Sequence, residues 1–120
     1  MKDFRNLLVW ERAHKLTIDI YNISRDFPKE EIYGLTSQLR RAASSIPTNI
    51  AEGCGRGSNA DFARFLQISM GSASETEYLI LLCRELGYID NQFEITEDLE
   101  NLKKMLSSLI NKTKTEAYTH

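Results

Sequence analysis

The side chains suited to chemistry are few. They are two cysteines, Cys54 and Cys83, one histidine away from the chain end, His14, and a glycine-rich run, Gly53-Cys-Gly-Arg-Gly-Ser58. The glycines resemble a phosphate loop, yet they follow a helical pattern rather than a strand and lack the Gly-Lys-Ser/Thr ending that grips a nucleotide. The cysteines are not in CxxC or another ligand spacing, so neither a zinc site nor a redox pair is indicated, and two buried or half-buried thiols are expected. His14 has no carboxylates placed to complete a metal site, and the Glu-x-x-His repeats of a di-iron bundle do not occur. With no histidine near either thiol in sequence, nucleophilic catalysis has no visible machinery. No catalytic residue, cofactor or metal is therefore expected.

The elements that position these residues are read from apolar spacing. Val9, Ala13, Leu16, Ile20, Ile23 and Phe27 recur at intervals of 4, 3, 4, 3 and 4, one face of a helix that Pro28 ends. Ile32, Leu35, Leu39, Ala42, Ile46 and Ile50 form a second face, interrupted by Pro47. That proline removes a backbone donor and crowds the carbonyl of Ala43, so a kink is expected there, with Ser44 and Ser45 placed to satisfy the freed carbonyls. The glycine run is read as the break after this helix, with Ser58 or Asn59 as the next N-cap. Ala60 to Leu86 carries two apolar stripes rather than one, around a middle of small residues, Ser69, Gly71, Ser72, Ala73 and Ser74. After a turn around Tyr88 to Glu94, Thr96 reads as an N-cap, and Leu99, Leu102, Leu106 and Leu109 make the last stripe. No apolar/polar alternation suggests a strand.

Four amphipathic helices with short connections predict a single all-α domain over residues 1–120, an antiparallel up-down-up-down four-helix bundle with a kinked second helix. The expected core spans about residues 7–113, with 114–120 a frayed tail. A formal charge of -2 gives no bulk attraction to nucleic acid or anionic lipid. Residues 1–64 carry 10 basic and 8 acidic side chains against 5 and 9 in 65–120, a net +2 and -4. No stretch of about 18 apolar residues is present, so no membrane association and a cytoplasmic location are expected.

Two surface patterns remain. Gln38, Arg41, Ser45, Thr48, Asn49 and Glu52 form a polar stripe on the second helix, read as interhelical hydrogen bonds with a solvated rim or as a subunit interface. In an up-down-up-down bundle the start of the first helix and the turn between the second and third share one end. Arg5, Arg12, Lys15, Arg56 and Arg64 are thus expected to form a basic edge opposed by Asp3, Glu11 and Asp61, a candidate RNA-binding surface; the plain alternative is solvated charge.

Motifs along nearly the whole chain carry a resemblance. Gly34-Leu-Thr-Ser-Gln-Leu-Arg-Arg-Ala-Ala43, then Ser45-Ile-Pro-Thr-Asn-Ile-Ala-Glu-Gly53 and Arg56, resemble the signature of the bacterial four-helix-bundle family named for intervening sequences in 23S ribosomal RNA. Trp10, Phe62 to Leu66, Gly71-Ser72 with Glu75, and Leu86-Gly87-Tyr88 also match, whereas Ser69, Ala73 and the dense glycines around Cys54 depart from it. The resemblance implies a homo-oligomeric ring, a pentamer. It also implies similarity to accessory proteins of diversity-generating retroelements, which bind RNA and a reverse transcriptase. The family name records gene location, not an activity. The reading is a non-enzymatic homo-oligomeric scaffold that binds structured RNA through the basic edge; the alternative is a protein-protein interaction module without nucleic-acid contact.

Overall fold

The structure, a computed structural model, describes residues 2–90 and 93–118. A 3-10 turn over Phe4–Asn6 leads into α1 (Leu8–Ser24); α2 (Leu35–Cys54), α3 (Asn59–Glu85) and α4 (Phe93–Tyr118) follow, each antiparallel to the one before. The apolar stripes converge on one core in which Leu16, Ile20, Leu39, Ile46, Ile50, Phe62, Leu66, Leu99, Leu102 and Leu106 are almost fully buried. No strand occurs among the described residues, and the four-helix bundle expected from periodicity is the fold.

Helix ends differ from the sequence reading in instructive ways. Lys29–Glu31 form a 3-10 turn and α2 begins only at Leu35, which leaves Ile32 outside the core at 48% exposure. Glu31 makes this start possible. One of its carboxylate oxygens accepts from the Leu35 amide at 3.3 Å, while the other accepts from the Tyr88 hydroxyl at 2.9 Å, tying the α3 end to the α2 start. Thr96 is not an N-cap, because α4 starts at Phe93 and Thr96 bonds Arg84 of α3 from within the helix. The third turn includes Asn91 and Gln92, which lie outside the described residues. α4 runs on through Tyr118, into the expected tail, and Thr113 just before that tail is buried at 3% exposure; residues 119–120 lie outside the described residues.

Gly53 does not break α2. It lies within the helix, where an added Cβ would stand 2.9 Å from Cβ of Phe65 and 3.0 Å from the Phe62 ring, so its missing side chain permits a close approach of α2 to α3. The turn itself is made by Gly57, at φ 85, and by Ser58, whose hydroxyl accepts from the Asp61 amide at 3.2 Å as an N-cap.

Pro47 is buried inside α2, which continues on both sides of it. The Ala43 carbonyl that Pro47 leaves without a donor is reached not by Ser44 or Ser45 but from the neighbouring helix. The Thr17 hydroxyl of α1 stands 2.8 Å from the Ala13 carbonyl and 3.2 Å from that of Ala43. A buried carbonyl left unpaired costs about 1–3 kcal/mol, so Thr17→Val should destabilise the protein by that order in denaturant unfolding. In a Pro47→Ala background, where residue 47 regains its N–H, the same substitution should cost clearly less; equal losses in both backgrounds would show that Thr17 does not serve the proline gap.

Candidate nucleic-acid and subunit interfaces

The chain's first residues do lie at the α2–α3 end of the bundle, where the Lys2 ammonium sits 5.2 Å from the Phe62 ring centre. Arg56 and Arg64 converge there on a single aromatic ring, their guanidiniums 4.9 and 4.6 Å from the centre of Phe65. Each also has a carboxylate at hand, Glu52 at 3.7 Å from Arg56 and Asp61 at 3.6 Å from Arg64, while Arg5 is 3.3 Å from Asp3. Arg12 is exposed, with no ion pair among the described residues.

Lys15 departs from the expected edge. It lies about two turns down α1, beside Asp19 at 2.9 Å and Asp98 of α4 at 3.9 Å. The hydrogen bond to Asp19, with the surrounding carboxylates, raises its pKa. Acidic opposition to the five cations thus comes from Glu52, Asp19 and Asp98 as well as Asp3 and Asp61. Exposed pairs of this kind are weak and salt-screened, so they leave the arginines able to exchange a carboxylate for a phosphate but lower the local potential that would attract one.

The polar stripe on α2 divides. Ser45 and Asn49 form the interhelical network: the Asn49 amide donates to the Ser45 carbonyl and hydroxyl at 2.8 and 2.9 Å, and the Ser72 hydroxyl of α3 donates to Ser45 at 2.9 Å. A step away, the Ser69 hydroxyl donates to the Ile46 carbonyl at 2.9 Å. Thr48 turns back to the Ser44 carbonyl of its own helix at 2.8 Å, and Glu52 faces Arg56. The Gln38 and Arg41 side chains are exposed and make no hydrogen bond or ion pair among the described residues.

Two features escaped the sequence reading. The second apolar stripe of α3 splits, with Phe65 and Leu79 buried but Ile68 and Leu86 exposed at 42% and 50%. Between α1 and α4 runs an apolar groove of about 480 Å³, lined by Leu7, Leu8, Met105 and Leu109 and flanked by Lys104 and Lys112. The signal for the groove was the register between the first and last helices, which periodicity within one helix does not supply.

His14 is exposed and stacked on Trp10, ring centres 4.9 Å apart, and no cluster of three metal-ligating side chains occurs among the described residues. No helix of the described residues is long and apolar enough to cross a membrane.

An all-α bundle with this signature defines the class, and comparison defines the family. The model of the 23S rRNA-intervening sequence protein matches residues 5–108, and the chain belongs to that family. A crystal structure of a protein of unknown function from the S23 ribosomal protein family of Bacteroides thetaiotaomicron VPI-5482 is similar, with a TM-score of 0.79 and 28% identity over 86% of this chain and 98% of that one. No curated protein matches the chain.

Burial raises the pKa of both thiols, that of Cys83 to about 11, and the thiolate is the reactive form. Both cysteines should therefore resist an aromatic disulfide reagent at pH 8 in the native state and react fully on denaturation. Rapid reaction of either in folded protein would show that its burial is not maintained.

Proposed function

We propose that the protein is a non-enzymatic homo-oligomeric scaffold whose assembly surface is the outward face of α3. The observation that carries this reading is a second seam on that helix, Ile68, Gly71, Glu75 and Tyr78, spaced 3, 4 and 3 and exposed on the side away from the core. Tyr78 is 59% exposed and Ile68 42%. Gly71 is exposed in the middle of a 27-residue helix, and a Cβ there would meet nothing within 4 Å. Within one chain this glycine has no packing role, yet it weakens the helix by about 1 kcal/mol relative to alanine. A helix arriving from another molecule supplies the missing reason, since glycine lets two backbones approach closely.

RNA contact at the α2–α3 end is a second reading, favoured by the convergence of Arg56 and Arg64 on Phe65. An assembly repeats that pair and raises its effective affinity. Contacts of this type release counterions, so binding should weaken with salt at a log-log slope of roughly -0.7 to -0.9 per phosphate. In filter binding to structured RNA at two salt concentrations, Arg56→Glu/Arg64→Glu should lose the salt-sensitive component; equal binding by the variant and wild type would leave a protein partner as the scaffold's cargo.

For the assembly itself, Gly71→Leu is the informative change. Circular dichroism should show helicity unchanged or higher, because the site is open in the single chain, while light scattering at micromolar concentration should show a smaller species. An assembly indifferent to this substitution would remove the α3 face from the interface.

A further inference from the structure

We infer that the α3 seam of one copy docks in the α1/α4 groove of the next, so that assembly is heterologous and two different surfaces of the chain meet. This rests on the self-assembly reading above and names the other half of its interface. The first support is shape. The seam stands on a helix side turned away from the core, a ridge, whereas Leu7, Leu8, Met105 and Leu109 line a concave apolar groove with Leu8 54% exposed. Each is an unmatched half of a helix packing contact, in which a ridge enters a groove.

The second support is axial register. Glu77 and Lys103 pair at 3.1 Å across the antiparallel α3 and α4. Six residues back from Glu77 is Gly71, and six forward from Lys103 is Leu109; by the same steps Glu75 is level with Met105. On the other side Lys15 pairs with Asp98 at 3.9 Å, and seven residues back and forward reach Leu8 and Met105. The seam and the groove therefore lie at one height along the bundle. Copies joined through two surfaces at equal height advance around an axis with little rise along it, which favours a closed ring over an open filament.

Charge selects the occupant. Glu75 on the seam and Lys104 and Lys112 on the groove rim are exposed, and none has an ion-pair partner among the described residues. Docking at matched height brings Glu75 of one copy to Lys104 of the next, a pairing that the single chain leaves unmade.

The test is a charge exchange in the full chain, read by sedimentation of wild type, Glu75→Lys, Lys104→Glu and the double variant, with helicity checked for each. Juxtaposed like charges across an interface are strongly unfavourable, so each single variant should associate at least about tenfold more weakly, and the double variant should recover. If wild type assembles but the single variants assemble equally well, or the double variant fails to recover, the seam does not sit in this groove. A monomeric wild type would instead overturn the self-assembly reading on which the inference rests.

Discussion

The close approach of α2 to α3 is the constraint on which the rest of the structure depends. Gly53 allows it at one end by presenting no Cβ to Phe65, and the serine hydroxyls of α3 hold it further along at the Ile46 carbonyl and Ser45. Small polar residues do here what leucines do in an ordinary bundle seam: they set the distance and register of two helices, with their hydrogen bonds satisfied between backbone and side chain. Because Ser69 and Ser72 face α2, α3 turns a different set of side chains outward, and the seam of Ile68, Gly71 and Tyr78 is the consequence.

The same packing explains how a proline persists in the middle of a buried helix. Pro47 cannot donate to Ala43, and a neighbouring helix without a donor at this point would leave that carbonyl desolvated and unpaired. Thr17, on the α1 face against α2, supplies the hydroxyl from outside the helix. The proline is thus a tertiary feature, dependent on α1 being in place, and its cost falls on the bundle as a whole rather than on α2 alone.

Fold class and helix number were legible because heptad spacing is local: the stripes of α1, α2 and α4 required no knowledge of neighbours. Helix ends were less legible. Thr96 has N-cap chemistry, but its hydroxyl is engaged by Arg84, a contact between helices that no window along the chain contains. Gly53 reads as a breaker by composition and acts as a packing residue for the same physical reason, the absence of a Cβ. In the basic edge, the shared end of the bundle was predictable from topology, whereas the neutralising role of Glu52 and the placement of Lys15 among carboxylates required side-chain positions. The doubled apolar character of α3 was visible in sequence; that its second stripe would split, with Phe65 and Leu79 buried and Ile68 and Leu86 exposed, was not.

Membership of a family whose model matches residues 5–108 leaves the biochemical role of this chain to be argued from its surfaces. In the proposed reading, copies of the chain complete the packing of those surfaces. The single chain has a radius of gyration of 15.1 Å and extents of 51 by 23 by 20 Å. Small-angle X-ray scattering at micromolar concentration tests this most directly. The account predicts a radius of gyration well above the single-chain value and a forward scattering intensity several times that of one chain. A radius close to that of the single chain, with the intensity of a monomer, would contradict it.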